Sequence, residues 1–214
     1  MSATAAPYGL RPVNLIGGQP YAGSTRLIKI ASGYGANLFF GQPVRIAGNG
    51  TVVAATVEAT APVTGVTGVF VGCTYTDPNL NIPIYKQYWP TGTVASDAFA
   101  YVVDDPDVVF QLQADGAVSQ SALGENIGLN TASGDTSTGN ATTSGNAGEA
   151  TTGSPFTGTA TASLPLRIVG FVESTTSTVG DAYTDLLVKF NAPYFDTDVL
   201  KGGHSYDQST GAGD

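Results

Sequence analysis

The sequence predicts an all-β protein: an antiparallel β-sandwich or barrel with an extended N-terminal arm and a long low-complexity loop. Charged residues make up only 12% of the 214 residues, against about 25% in ordinary soluble domains. The chain contains 28 glycines, 27 threonines and 15 serines; Thr favours strands and Gly marks turns. Short β-branched and aromatic runs recur along the chain, whereas helical periodicity is nearly absent outside residues 118–123.

The first predicted element is an extended arm over residues 1–24. Pro7, Pro12 and Pro20 alternate with glycines and scattered apolar side chains, and Pro fixes φ and removes a backbone donor, which disfavours a helix. Such a segment cannot bury its own apolar side chains, so it must lie either on its own body or on a partner. We predict a partner-contacting arm, in which Tyr and Arg are typical interface residues. The predicted anchors are Tyr8, Leu10, Arg11 and Tyr21.

Residues 25–130 and 164–200 form the predicted β-rich body of eight to ten short strands. Gly48-Asn49-Gly50 supplies the positive-φ positions of a tight turn between two of these strands. Asp105 and Pro106 suit the first two positions of a type I turn, which predicts a hairpin between residues 99–103 and 108–113. The predicted strands are residues 26–30, 43–46, 51–53, 66–75, 85–89, 99–103, 108–113, 164–173 and 185–190.

A low-complexity segment interrupts the body at residues 131–163. Of its 33 residues 27 are Thr, Ser, Gly or Ala, and Phe156 is its only large apolar side chain. Burial of so little apolar surface does not offset the entropy of ordering the chain. We therefore predict either a flexible surface excursion or a Thr-rich hairpin or projecting loop held by neighbouring subunits. Residues 201–214 are a predicted flexible tail.

The charge balance excludes some function classes. Eight basic against 17 acidic residues give a net charge of −9, and direct nucleic-acid binding needs the opposite surplus. Residues 1–60 carry four basic and one acidic residue, +3, and the remainder carries −12. This uneven distribution of charge indicates either that the two parts of the chain lie in different surroundings or that it arose by chance. No apolar run is long enough for a membrane span, and the N-terminus lacks the pattern of a secretory signal.

Candidate catalytic and metal-binding residues are few, and we predict a protein that is not an enzyme and needs no cofactor or metal. His204, the only histidine, lies in the Gly-rich tail, where nothing orients it as a base. Cys73, the only cysteine, lies in an apolar run and is predicted to be a small buried hydrophobe. Trp89 with Tyr85 and Tyr88 is predicted to form a core aromatic cluster that closes a barrel end, the alternative being a sugar-stacking platform.

Several segments resemble capsid decoration (cement) proteins of tailed double-stranded DNA bacteriophages. The likeness spans most of the chain outside residues 131–163. It lies in the general character and the order of the segments and not in a catalytic motif. The segments that carry it are PYGLRPV (7–13), GQPYAG (18–23), GVFVGCTYT (68–76), YWPTGTV (88–94), AYVVDDPD (100–107) and LPLRIV (164–169).

The resemblance implies a structural virion protein that stabilises the icosahedral head by bridging major capsid protein subunits. It implies a location on the outer surface of the capsid, after synthesis in the host cytoplasm, and self-assembly as a homotrimer. Two other hypotheses stay open: a tail or fibre component that contacts a receptor, and a carbohydrate-binding or glycan-cleaving module that uses Trp89, Tyr88 and a carboxylate pair.

Overall fold

Runs of β-branched and aromatic residues, separated by Gly, Pro and Asp, form thirteen strands in the part of the chain that the structure describes. The structure is a computed structural model, and it describes residues 8–55, 66–114, 116–131, 149–151, 166–174 and 177–191. The strands are β1 (Arg11–Leu15), β2 (Arg26–Lys29), β3 (Gln42–Ile46), β4 (Val52–Ala54), β5 (Gly68–Thr76), β6 (Pro83–Lys86), β7 (Phe99–Val103), β8 (Val108–Gln113), β9 (Asn126–Ile127), β10 (Leu129–Thr131), β11 (Glu149–Thr151), β12 (Leu166–Phe171) and β13 (Asp185–Phe190).

The strands build two antiparallel sheets that pack together, which confirms the predicted all-β class. Sheet A has the order β1-β8-β13-β12-β9; sheet B has the order β2-β7-β5-β3-β4, with β6 also paired to β5. Strands β10 and β11 form a separate two-stranded ribbon. Among the described residues, no helix is both long and apolar enough to cross a membrane.

A first hydrophobic core fills the space between the two sheets. Sheet A contributes Phe110 and Phe190, whose rings meet edge to face at 5.7 Å, and sheet B contributes Val69 and Val103. Removing these side chains from water is the main favourable contribution to the packing of the sheets. Other fully buried members are Leu112, Ile127, Leu129, Leu166, Ile168, Leu186 and Val188.

A second core lies on the opposite face of sheet B. An isolated parallel bridge between Ile30 and Val52 links the two edges of this sheet, so the sheet curls around its inner side chains. The enclosed members include Ile28, Ile30, Val44, Val52, Phe70, Cys73, Tyr75, Trp89, Ala100 and Val102. Sheet B is therefore covered on its inner face by its own curvature and, over part of its outer face, by sheet A.

A bulge in β5 lets one strand serve both cores. Val69 faces the intersheet core and Phe70 the inner core, as strict alternation requires. The register with β7 shifts between Phe70 and Gly72, and this extra residue brings Cys73 to the inner core with Phe70. Gly72 has a φ of 151° and an added Cβ would lie 3.1 Å from a backbone oxygen of β6, which explains the glycine.

The predicted hairpin between residues 99–103 and 108–113 is wrong as a pairing, although both strands have the predicted bounds. Strand β7 pairs with β2 and β5 in sheet B, whereas β8 pairs with β1 and β13 in sheet A. A β-turn is present at the predicted position: Val108 N donates to Asp105 O at 3.3 Å, and Asp107 N donates to Asp105 Oδ1 at 2.9 Å. The turn carries the chain from one sheet to the other, because each strand buries its apolar face better in a different sheet.

The structure confirms one other predicted hairpin and adds detail to two further segments. The β3–β4 hairpin is confirmed, with Ile46 opposite Val52 and a φ of 77° at Gly50. Residues 118–123 contain a single turn of 3₁₀ helix, Gln120–Ala122. At the start of the low-complexity segment, β10 pairs with β11. Residues 1–7, 132–148, 152–165 and 192–214, including the predicted tail and His204, lie outside the described residues.

Candidate binding surface

The described part of the predicted arm lies on the chain's own body, one of the two alternatives that the sequence left open. Strand β1 adds to the edge of sheet A by pairing with β8, from Arg11 opposite Gln111 to Leu15 opposite Val108. The following residues fold back on β1 through a bridge between Asn14 and Pro20. A boundary at residue 24 therefore does not separate an arm from the body.

Leu10 is a core residue and is unavailable to a partner, which corrects its predicted role as an anchor. Its side chain is fully buried in the intersheet core. Its N–H donates to Gly41 O at 2.9 Å, and Gly41 N donates to Phe70 O at 2.8 Å. Sequence reasoning placed Leu10 outside because Pro and Gly surround it, whereas the tertiary fold gives this short apolar segment a place between the sheets.

Tyr8 is also tied to the body. Its hydroxyl donates to Asp185 Oδ1 at 3.0 Å, at the start of β13. Burial and the neighbouring carboxylate raise the pKa of Tyr8 well above its usual range. Burial also raises the pKa of Asp185, although the hydrogen bond from Tyr8 opposes this shift. The contact fixes the N-terminal segment to the central strand of sheet A.

Arg11 and Tyr21 differ in their exposure. Arg11 is exposed at the start of β1 and forms no ion pair with a described residue. Tyr21 is half-buried against the intersheet core, and its hydroxyl donates to Ser24 O at 2.6 Å. Burial raises the pKa of Tyr21, assisted by the nearby carboxylates of Asp104 and Asp105. Of the four predicted anchors, Leu10 is thus fully buried, Tyr8 and Tyr21 are half-buried and bonded within the chain, and Arg11 is exposed.

Trp89 closes the inner core and does not form a sugar-stacking platform. It is fully buried, its ring meets Tyr75 edge to face at 5.2 Å, and its backbone pairs with Leu38. Tyr88 is half-buried and stacks on Phe39 with ring centroids 6.1 Å apart. The core prediction is confirmed for Trp89, whereas Tyr85 lies outside, 74% exposed.

Sheet B carries an exposed apolar surface on the part of its outer face that sheet A leaves uncovered. We call this surface the aromatic face and define it by Leu27 of β2, Phe99 and Tyr101 of β7, and Tyr85 of β6. Leu27 lies opposite Tyr101, Phe99 opposite Thr74, and Thr74 opposite Tyr85. Directly opposite side chains are about 5 Å apart, so the members on β2 and β7 adjoin each other, and Thr74 of β5 connects Phe99 to Tyr85.

The exposure of the aromatic face grows with distance from sheet A. Along β7, Val103 is fully buried between the sheets, Tyr101 is half-buried and Phe99 is 37% exposed. Tyr101 lies over Gly72, where an added Cβ would be 3.9 Å from its ring. Lys29, opposite Phe99, ends the row with an exposed ammonium group that forms no ion pair with a described residue.

The outer face of sheet A is polar by comparison. On β8, Gln111 is half-buried on this face and Gln113 is buried, and both alternate with core residues. On neighbouring β13 Lys189 Nζ donates to Asp107 Oδ1 at 2.9 Å, and on β12 Arg167 donates to Asn126 Oδ1 at 3.2 Å. The two sheets thus present different surfaces: a polar, internally paired face and an apolar face with an unpaired cation.

The sequence analysis missed the aromatic face because its members lie on three separate strands. The alternation Phe99-Ala100-Tyr101-Val102 did signal that one side of β7 is aromatic. Which side is exposed depends on where sheet A packs, and no local pattern contains that information.

The described residues include no group of three or more His, Cys, Asp or Glu placed to hold a metal ion. Cys73 is buried as predicted, with its thiol 3.4 Å from Tyr88 O. Burial raises the pKa of Cys73 to about 12, so its thiol stays protonated near neutral pH.

Comparison with known proteins yields no match, whether to a family model, to a curated protein or to a solved structure.

Proposed function

We propose that this chain is a non-enzymatic structural protein of a tailed bacteriophage, which binds the outer surface of the head and stabilises it by bridging major capsid protein subunits. On this proposal the protein assembles as a homotrimer and contacts no nucleic acid or membrane. The β-sandwich supplies a rigid body, and its exposed surfaces supply the contacts.

One observation carries the proposal: the segments that resemble decoration proteins make up the frame of the fold. PYGLRPV leads into β1, GVFVGCTYT is β5 itself, AYVVDDPD contains most of β7 and the crossing between the sheets, and LPLRIV leads into β12. These strands lie in both sheets and surround the intersheet core. The segments that carry the likeness are therefore spread over both sheets and are not confined to one loop.

The test uses heads of the phage that encodes the chain, prepared with and without the protein. We expect the purified protein to bind expanded heads that lack it, and to raise the temperature at which they release DNA. Heads that withstand heating equally well without the protein would refute the stabilising role.

Location and copy number separate this proposal from its closest competitor. Electron microscopy of gold-labelled protein is expected to show label over the whole head, with hundreds of copies per virion. Label confined to the tail, with a handful of copies, would replace the proposal with a tail or fibre role. A carbohydrate-binding role predicts glycan-array hits, but the burial of Trp89 removes the stacking surface on which that hypothesis relied.

A further inference from the structure

We infer that the aromatic face of sheet B, together with Lys29, is the surface through which this chain docks on the capsid, against an apolar protein surface that places a carboxylate opposite Lys29. This inference rests on the proposed function and assigns the contact to particular residues. It replaces the N-terminal segment, which the sequence had favoured, as the main contact.

The first argument is the chemistry of the face. Tyr85 is 74% exposed, Leu27 54% and Phe99 37%, and large aromatic side chains are the residues that contribute most energy at interfaces. Their exposed surface comes to roughly 300 Å², taking about 200 Å² for each fully exposed side chain. Contiguous apolar patches of about 300–600 Å² on monomers are often functional.

The second argument is rigidity. The four side chains project from β2, β7 and β6, strands of one sheet whose inner side is a closed core. A surface of this kind loses little conformational entropy on binding, since backbone and neighbouring side chains are already fixed. The face is also next to the intersheet core along β7, so its position relative to the rest of the body is set.

The third argument is charge. Lys189, Arg26 and Arg167 each contact a polar or acidic partner within the chain. Lys29 forms no such contact with a described residue and lies at the end of the row that contains Phe99. An uncompensated cation beside an apolar surface fits a partner that supplies a carboxylate at the rim of its own apolar patch.

The size of the face favours a repeated array of identical partner sites over a pairwise contact with a second copy of the chain. A stable interface buries about 800 Å² on each partner, and the aromatic face offers less than half of this. A weak site of this size gains strength where many identical sites are repeated, as on a capsid lattice.

Strand addition at the adjacent edge is disfavoured. Among the described strands, β6 pairs with β5 alone, but it begins with Pro83, which has no N–H to donate. Proline on an edge strand is a common device against pairing with another chain. The side chains of the face, and not the backbone of its edge, are therefore the docking element.

The experiment measures binding of the purified protein to heads that lack it, by co-sedimentation over a range of protein concentrations. The tested variants are Tyr85→Ser, Phe99→Ser and Lys29→Glu. The matched controls are Val94→Ser, whose side chain is 66% exposed outside the face, and Lys29→Arg, which keeps the charge. Far-UV circular dichroism and thermal melting verify that each variant folds; Tyr85→Ser is the decisive one because its side chain packs least against the body.

Tyr85→Ser and Lys29→Glu are expected to weaken head binding about tenfold or more, the loss typical of removing an interface hot spot. Val94→Ser and Lys29→Arg are expected to stay within about twofold of the wild-type affinity. Wild-type affinity is expected to fall with rising salt, and that of Lys29→Glu less so.

Two results would overturn the inference while the proposed function stands. In one, every face variant binds heads as tightly as the wild type. In the other, Tyr85→Ser keeps its head affinity but dissociates an oligomer of the free protein in sedimentation velocity, which would make the face a contact between copies. Failure of the wild-type protein itself to bind heads would instead refute the proposed function.

Discussion

Replacing Leu10 with Ala tests whether the N-terminal segment is part of the folded body. The side chain is fully buried between the two sheets, so its truncation removes apolar contacts and leaves a cavity. Such substitutions cost about 2–5 kcal/mol. A domain of this size loses about 2–4 °C in melting temperature for each kcal/mol, so a cost of about 3 kcal/mol lowers the melting temperature by roughly 9 °C.

The matched control for this substitution is Ile16→Ala. Ile16 lies in the same N-terminal segment but its side chain is 51% exposed, so the expected change is within about 0.5 kcal/mol. Both variants are compared by differential scanning calorimetry at one protein concentration. If Leu10→Ala melts no more than about 2 °C below the wild type, or no lower than Ile16→Ala, then Leu10 is not a core residue and the predicted detachable arm regains support.

Three further substitutions or reactions test other parts of the structure. Gly41→Ala is expected to destabilise the protein by about 2 kcal/mol or more in urea denaturation, because φ is +86° and the new Cβ would lie 2.8 Å from a backbone nitrogen; Gly35→Ala, with open space around it, is the control and a similar loss there would contradict the explanation. Burial raises the pKa of Asp185, so ionisation of its carboxyl group opposes folding. This destabilisation is present above the raised pKa and is lost as acid protonates the carboxyl group. Asp185→Asn keeps an acceptor for Tyr8 and should therefore melt higher than the wild type at pH 7, the difference vanishing near pH 3, and an equal difference at both pH values would refute this. Cys73, whose pKa burial raises to about 12, is expected to react with a thiol reagent at pH 8 only after the protein unfolds, and fast labelling of the native protein would show that it is accessible.

Prediction from sequence succeeded for features that neighbouring residues determine. Strands β7, β8 and β13 have the predicted bounds because apolar β-branched and aromatic residues are concentrated in them, and Asp104 to Asp107 separate β7 from β8. The β-turn that begins at Asp105 and the positive φ at Gly50 follow from the chemistry of those residues alone.

Prediction was wrong or incomplete where distant strands decide the outcome. Strands β7 and β8 are joined by a four-residue connection that fits a hairpin, yet they belong to different sheets. Two strands that are close in the chain pair with each other only when one sheet can bury the apolar faces of both strands. Here Val102 of β7 belongs to the inner core and Phe110 of β8 to the intersheet core. Both side chains are buried because the two strands lie in separate sheets.

For the candidate binding surface too, distant strands decided what the local sequence pattern could not. The sequence identified Tyr8, Leu10, Arg11 and Tyr21 as contact residues from an extended, proline-spaced pattern. The fold places Leu10 in the core and bonds Tyr8 to Asp185, because the segment completes the edge of sheet A. The exposed surface arises elsewhere, where Leu27, Phe99 and Tyr85 meet across three strands.

By itself the sequence determined that the protein is all-β, the approximate positions of nine of the thirteen strands in the described residues, and the positions of two turns. These properties depend on side-chain shape, on the restricted φ of Pro and on the freedom of Gly, all of which act within a few residues. The tertiary structure alone decided which strands pair, which face of each strand is buried and that the N-terminal segment belongs to the body. Those outcomes depend on how two sheets share apolar surface, and residues far apart in the chain contribute to that surface together.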